Sequence, residues 1–200
     1  MTRKRVVLVT DPLCSWCWGM ADDFQLARRR LAERVDFDLM LGGINVHGTQ
    51  PIGDYGRRFL MKLWREVADT TGQRFGFKLP EDEYVHNSVA PCLVLEAVRQ
   101  ATDSVPFELL HDLQRRFFVT GEDITDLDLL SEQAAAHGIE NFKARMHDEV
   151  LREKLRFQFD NAGAFGTNAL PSLLIEEQGT TRLLAGGYVD AGMMETLIGD

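Results

Sequence analysis

The sequence predicts an α/β fold in which one mixed sheet is interrupted by a large helical insertion. Three observations predict it: strand-like runs lie near both ends of the 200-residue chain, helical patterns fill its middle, and hydrophobic residues make up 44% of it. That apolar content is ordinary for a folded protein with a buried core. One domain with an insertion is therefore expected.

The N-terminal segment predicts a βαβ unit. The apolar, β-branched run Val6–Thr10 ends at Asp11-Pro12, which is typical of a buried strand that enters a turn. Apolar residues then recur at helical spacing over 17–34, and a second strand-like run follows at 37–41. A strand, a helix and a strand at this spacing favour a right-handed parallel unit.

The middle of the chain predicts five helices, which glycine and proline residues separate. Helical patterning covers 55–71, 88–102, 106–119, 126–137 and 141–164. Asp126 is a plausible N-cap of the fourth of these helices. Asp103-Ser104 before Pro106 resembles a cap followed by a proline in the first helical turn.

The C-terminal segment predicts a hairpin and a final helix. Two short apolar runs, at 172–176 and 181–185, are joined by four residues that are typical of a hairpin loop. Helical patterning resumes from about 190 to 198. These strands complete the predicted mixed sheet with the two N-terminal strands.

Charge and cysteine content exclude several classes of protein. The formal net charge is −9, so a general affinity for nucleic acid is not expected, and no apolar run is long enough to predict a membrane span. The three cysteines do not form the disulfide framework of a small secreted domain. The apolar run after the basic residues 3–5 meets Asp11 before it reaches signal-peptide length, so a cytoplasmic protein is expected.

The motif Cys14-Ser15-Trp16-Cys17 carries the predicted chemistry. It lies where the first strand passes into the first helix, which places Cys14 at the helix N-terminus. Backbone N–H groups and the positive end of the helix dipole favour a thiolate there, so a lowered pKa of Cys14 is expected. The offset of three residues brings both sulfurs to one helix face, where Cys17 can resolve a mixed disulfide formed at Cys14.

Two cysteines at this spacing are also half of a tetrahedral zinc site. Cys92, His47 and His86 could supply further ligands, but none of them forms a second closely spaced pair. No metal site is therefore predicted, and a zinc-stabilised binding module without enzymatic activity is kept as an alternative.

The segment Asp11–Gly19, DPLCSWCWG, resembles the active-site segment of the DsbA family in the thioredoxin superfamily, and is most similar to FrnE-like predicted protein-disulfide isomerases of the cytoplasm. The resemblance implies a DsbA-like, thioredoxin-like fold with a mixed central sheet and a large all-helical insertion. Residues 1–53 and 145–200 would form the discontinuous thioredoxin-like domain, and 54–144 the insertion. The dipeptide Ser15-Trp16 differs from that of DsbA, so a less oxidising cysteine pair is expected.

The resemblance also implies a cis proline before the third strand, where this sequence has Pro171. Such a proline would turn the backbone N–H and C=O of Leu170 toward an extended substrate peptide at Cys14. Trp16 is expected either to form an apolar rim for the substrate or to pack against neighbouring helices, whereas core packing is favoured for Trp18. The predicted substrate-binding residues are Trp16, Leu170 and Pro171.

Two residues outside the cysteine pair are each open to two interpretations. Asp11 is interpreted as a cap of the turn before Pro12, with a proton acceptor for Cys17 as the alternative. Cys92 follows Asn87-Ser88, a segment that resembles the start of the family's insertion helix facing the active site. A buried, inert thiol is expected at Cys92, and a third redox participant is the alternative.

The leading functional hypothesis is a thiol-disulfide oxidoreductase or protein-disulfide isomerase with Cys14 as nucleophile and Cys17 as resolving thiol. It predicts no cofactor beyond the redox-active disulfide, with glutathione as a candidate reductant. The expected partners are a disulfide-containing protein or small thiol substrate and a redox partner, but neither nucleic acid nor membrane. A glutathione-dependent transferase or isomerase, of the kappa class or the hydroxychromene-carboxylate isomerase type, is the alternative enzyme. The sequence determines neither the direction of electron flow nor the oligomeric state.

Overall fold

The structure, a computed structural model, describes residues 3–81, 83–166 and 168–199, and the strands in these ranges form one sheet. The strands are β1 (Arg5–Thr10), β2 (Asp36–Leu41), β3 (Ser172–Glu177) and β4 (Thr180–Gly186). The helices are α1 (Ser15–Leu31), α2 (Gly53–Thr71), α3 (Val89–Thr102), α4 (Phe107–Arg115), α5 (Leu127–Ala136), α6 (Phe142–Arg145), α7 (Glu149–Ala162) and α8 (Ala191–Gly199). A π-helical turn (Arg116–Thr120) extends α4.

The sheet is mixed, with the strand order β2-β1-β3-β4. β1 runs parallel to β2, as the predicted βαβ unit requires, and antiparallel to β3. Val9 near the end of β1 lies opposite Ser172 at the start of β3. The turn after β1 and the loop before β3 therefore lie next to each other, at the same end of the strands. The predicted α/β class with a mixed sheet is confirmed.

Both faces of β1 are buried, which explains its continuous apolar sequence. Val6 and Leu8 belong to the larger core, which also contains the buried side of α1. Val7 and Val9 point to the opposite face and pack with Leu174 of β3. Side chains alternate between the faces of a strand, so a strand covered on both sides needs apolar residues throughout.

Side chains from two helices cover the free edge of β2. The backbone N–H of Leu41 donates to Oε1 of Gln158 on α7 at 3.0 Å, and the carbonyl of Leu39 accepts from Arg99 on α3 at 2.6 Å. Gln158 in turn donates to the buried carboxylate of Glu96 at 2.9 Å. An edge strand whose polar groups are occupied in this way is protected from pairing with another chain.

An aromatic cluster forms the centre of the helical region between β2 and α5. Trp64 of α2 is fully buried and lies 5.2 to 5.6 Å, between ring centroids, from Phe75, Phe117 and Phe118. Phe118 also stacks on Trp18 of α1 at 6.2 Å. The cluster therefore joins the helical region to the helix that carries the cysteine motif.

Two predicted helix boundaries are wrong. The helix predicted over 141–164 is divided into α6 and α7, because the Asp148 side chain accepts the N–H groups of Val150 and Leu151 and begins a new helix. Asp103 does not cap α4; it ends α3 in the left-handed conformation, with φ of 50°. The N-cap predicted at Asp126 is confirmed, since its carboxylate accepts two backbone N–H groups of α5.

The hairpin between β3 and β4 is tighter than predicted. Glu177 pairs with Thr180, so the loop has only the two residues Gln178 and Gly179 instead of four. Both have positive φ, 53° and 79°, which matches the twist of two-residue hairpin turns. The error arose because these strands continue to the turn itself.

The division into domains stays a prediction. Helices α3, α4 and α5 lie within the predicted insertion 54–144, whereas α2 begins one residue before it and α6 ends one residue after it. α7, outside the predicted insertion, contacts both α3 and β2. None of the helices in the described part of the chain has the length and apolar character needed to cross a bilayer.

Candidate active site

Cys14 and Cys17 lie at the N-terminus of α1, just beyond the end of the central strand β1. Cys14 is the N-cap of α1, and its own N–H donates to the carbonyl of Asp11 at 3.2 Å. The N–H of Cys17 donates to Sγ of Cys14 at 3.2 Å. Both thiols are free and buried. The strand, the turn and the first helical turn thus bring the two sulfurs onto one face, as their spacing predicts.

Burial decides the protonation of Cys14 in this arrangement. Removal from water raises the pKa of the Cys14 thiol well above its ordinary value, and the Cys17 side chain adds to the rise. The hydrogen bond from the Cys17 N–H acts in the opposite direction and is too weak to compensate. The lowering of this pKa that the helix terminus predicts is therefore wrong for this structure, in which both thiols are free.

Asp11 is fully buried and does more than cap its turn. Its Oδ1 accepts the N–H of Leu13 at 2.8 Å, which is the predicted cap. Its Oδ2 accepts the N–H of Ile44 at 3.0 Å and the hydroxyl of Ser88 at 2.6 Å, and lies 3.7 Å from Sγ of Cys92. Desolvation outweighs these hydrogen bonds and raises the pKa of Asp11 to about 6.

An Asp11→Asn variant is expected to change the dependence of stability on pH. The pKa of Asp11 rises from 3.8 to about 6 on folding, so the folded protein binds more protons than the unfolded chain between these values. The contribution of Asp11 to the free energy of unfolding therefore falls as the pH rises through this window, by about 3 kcal/mol in order of magnitude, and is constant above it.

Chemical denaturation at pH 4 and pH 7 measures this difference. The parent should lose more stability than Asp11→Asn between the two values, whereas Asp160→Asn, which changes an exposed carboxylate on α7, should behave like the parent. Parallel behaviour of the parent and Asp11→Asn would show that Asp11 does not titrate in this window.

The loop before β3 lies at the same end of the sheet as the cysteine motif. The Leu170–Pro171 peptide bond is cis, the isomer that the family resemblance implies. The carbonyl of Pro171 accepts the N–H of Gly187 at 2.8 Å. Within the described residues, neither the N–H nor the C=O of Leu170 has a hydrogen-bond partner. An unpartnered pair of this kind can hydrogen-bond to an extended peptide.

The two tryptophans of the motif have different environments. Trp18 is buried, donates its Nε1–H to the carbonyl of Arg74 at 2.9 Å and stacks on Phe118. The prediction that Trp18 packs in the core is confirmed. Trp16 is half-buried and packs against the core.

The ligands considered for zinc do not assemble into a site. His86 is held by Tyr84, whose hydroxyl lies 2.8 Å from its Nδ1, and burial lowers the pKa of His86 to about 4. Cys92 is fully buried on α3, and burial raises the pKa of its thiol. No group of three or more His, Cys, Asp or Glu side chains suited to a metal occurs within the ranges that the structure describes.

Two residues that support the site could not be assigned from sequence. Ile44, in the loop after β2, donates its N–H to Asp11, and Gln114 of α4 donates its buried side-chain amide to the carbonyl of Asp11 at 3.3 Å. A glutamine among the apolar positions of a helix was the one available signal. Ser88 lies in a segment that the family resemblance places near the active site, and its hydroxyl does contact Asp11.

No protein-family model matches the chain, and no curated protein matches its sequence. Solved structures do match it. A candidate protein disulfide isomerase from Nitrosomonas europaea is 24% identical, with a TM-score of 0.87 over 99% of this chain and 97% of that chain. The cytosolic disulfide reductase DsbM from Pseudomonas aeruginosa is 27% identical, with a TM-score of 0.73 over 90% of this chain and 89% of DsbM.

The chain has a DsbA-like fold of the thioredoxin superfamily. The same DsbM solved with glutathione matches this chain at 25% identity and a TM-score of 0.72. A 2-hydroxychromene-2-carboxylate isomerase matches at 13% identity and a TM-score of 0.56, over 98% of this chain and 94% of that one. At that identity the likeness extends to the fold alone.

Proposed function

We propose that this DsbA-like protein is a thiol-disulfide oxidoreductase that acts through Cys14 and Cys17. The observation that carries the proposal is the capped pair: Cys14 begins α1, and the Cys17 N–H points at its sulfur from 3.2 Å. Structural similarity to a cytosolic disulfide reductase supports the same chemistry. A cytoplasmic location is proposed on the same similarity and on the three free cysteines.

The reaction uses the sulfurs of Cys14 and Cys17 one after the other. Cys14 first loses its thiol proton, and the resulting thiolate attacks one sulfur of a substrate disulfide. The S–S bond breaks, and the departing sulfur leaves as a thiolate that takes up a proton. The Cys17 thiolate then attacks Sγ of Cys14 and releases the second substrate thiol. The substrate gains two electrons and two protons, and the protein becomes a Cys14–Cys17 disulfide. The redox partner and its potential set the direction of the reaction.

Leu170, Pro171 and Trp16 would bind a peptide substrate. The unpartnered backbone groups of Leu170 would pair with the substrate as an added strand, next to the buried ring of Pro171. The exposed part of Trp16 would contact apolar residues of the substrate. Glutathione is proposed as the reductant that restores the dithiol, since the similar DsbM has been solved with it.

Equilibration in graded mixtures of reduced and oxidised glutathione tests the proposal. Quenching by alkylation followed by peptide mass analysis should show Cys14 and Cys17 passing together from alkylated to disulfide-linked as the buffer becomes more oxidising. Cys92 should stay reduced throughout, because it is fully buried. In Cys17→Ser, the same treatment should leave a mixed disulfide with glutathione on Cys14. Absence of interconversion in the parent would refute the proposed activity.

A further inference from the structure

A second feature adjoins the proposed active site: a cleft of about 170 Å³ between α7, the start of α3 and the loop after β2. Its floor is apolar and is made by Leu93 and Leu155, which are buried, and by Val89 and Phe159, which are half-buried. A concave apolar surface of this size can hold one or two side chains of a peptide. None of the predicted site residues lines it.

The cleft and the Leu170–Pro171 loop meet across two consecutive glycines. A Cβ atom built on Gly42 would lie 2.7 Å from Cδ1 of Leu170, and one on Gly43 would lie 2.8 Å from Cδ1 of Phe159. The side chains of Leu170 and Phe159 therefore lie against Gly42 and Gly43, two consecutive residues whose Cα atoms are about 3.8 Å apart. The cleft therefore lies beside the Leu170–Pro171 loop.

The other side of the cleft also borders the active site. Val89, in its floor, follows Ser88, whose hydroxyl donates to the buried carboxylate of Asp11. Asp11 in turn accepts the N–H of Cys14 through its carbonyl. The start of α3 therefore links the cleft to the turn that carries Cys14.

Positive charge is concentrated at the rim of this cleft. Arg152 and Arg156 are exposed, lie one helical turn apart on α7 and line the cleft together. One guanidinium nitrogen of Arg152 donates to the carbonyl of Met146 at 3.1 Å. Arg156 has carboxylates of Glu149 and Glu153 only at 4.0 Å, and these exposed pairs are weak.

We propose that the cleft binds the part of a peptide substrate that flanks its reactive cysteine, with an apolar side chain on the floor and acidic side chains at Arg152 and Arg156. The proposal rests on the proposed function and gives it a substrate class: disulfide-containing peptides with an apolar residue and acidic residues beside the cysteine. Charge complementarity favours this substrate class, because both charged residues that line the cleft are arginines, in a protein whose net charge is −9.

Three peptide disulfides of equal length test the substrate class. Each contains a leucine beside the cysteine, followed by two glutamates, two glutamines or two lysines. The parent should reduce the glutamate peptide with a kcat/KM about 3- to 10-fold above that of the glutamine peptide, and the preference should weaken as salt rises. The lysine peptide should be the poorest substrate.

Variants of Arg152 and Arg156 test whether the acidic residues of the peptide bind at the cleft. Arg152→Gln/Arg156→Gln should lose the preference, and Arg152→Glu/Arg156→Glu should favour the lysine peptide, an inversion that a general loss of stability would not produce. Arg29→Gln/Arg34→Gln makes the same change of charge at and beyond the far end of α1, with Arg29 about 21 Å along the helix axis from Ser15, and should keep the parental preference.

Hydroxyethyl disulfide, which is neutral and too small to reach the cleft, separates the two possible failures. All of these variants should reduce it at the parental rate. Reduction of this compound by the parent without a preference among the peptides would overturn the cleft proposal and leave the oxidoreductase intact. A preference that survives Arg152→Gln/Arg156→Gln would place the acidic contact elsewhere. Failure to reduce any disulfide would overturn the oxidoreductase itself.

Discussion

A Cys14→Ser variant is expected to lose catalysed reduction of insulin disulfides completely, down to the rate of the assay without protein. A hydroxyl neither ionises near neutral pH nor forms an exchangeable bond with a substrate sulfur. The fold should survive, because Cys14 is the N-cap of α1 and serine is a preferred residue at that position. Circular dichroism and thermal unfolding should therefore match those of the parent while the activity is absent.

Cys92→Ala is the matched control, since it removes a buried thiol outside the Cys14–Cys17 pair. Its sulfur makes a long contact of 3.7 Å with Oδ2 of Asp11, and Cys92 lies outside the motif. Insulin reduction should persist in this variant. Residual catalysis in Cys14→Ser would contradict the role of Cys14 as nucleophile. Loss of activity in a folded Cys92→Ala protein would make Cys92 a third redox participant.

Trp64→Ala is expected to have the largest effect on stability, a loss of about 3–5 kcal/mol in the free energy of unfolding. Trp64 is fully buried, and three phenylalanine rings surround it within 5.6 Å. Removing the indole leaves a cavity that these rigid rings cannot fill. Urea denaturation should show a lower midpoint with an unchanged slope.

Tyr55→Ala is the control on the same helix, because Tyr55 is 79% exposed. Its removal should change the free energy of unfolding by less than about 0.5 kcal/mol. A loss of similar size in both variants would indicate that the helix itself, and not the aromatic cluster, is what the substitutions weaken. A Trp64→Ala protein as stable as the parent would mean that the cluster contributes little to folding.

The parts of the fold that depend on residues close together in the sequence could be predicted from the sequence. The apolar run of β1, the motif at the start of α1 and the cap at Asp126 are local patterns, and the structure reproduces all three. The break at Asp148 was missed because helical spacing continues on both sides of it. The hairpin loop was missed because its length depends on how far two strands pair, which neither strand specifies alone.

The sequence by itself determined that two cysteines stand one helical turn apart where a strand passes into a helix, since this needs only the chain's local order. The tertiary structure alone decided how protons are held there. The groups around Asp11 come from positions 44, 88, 92 and 114, and burial by these distant segments raises the pKa of Asp11. Desolvation depends on everything packed around a group, so the protonation of Asp11 and Cys14, like the cationic cleft beside them, exists only once distant segments have come together.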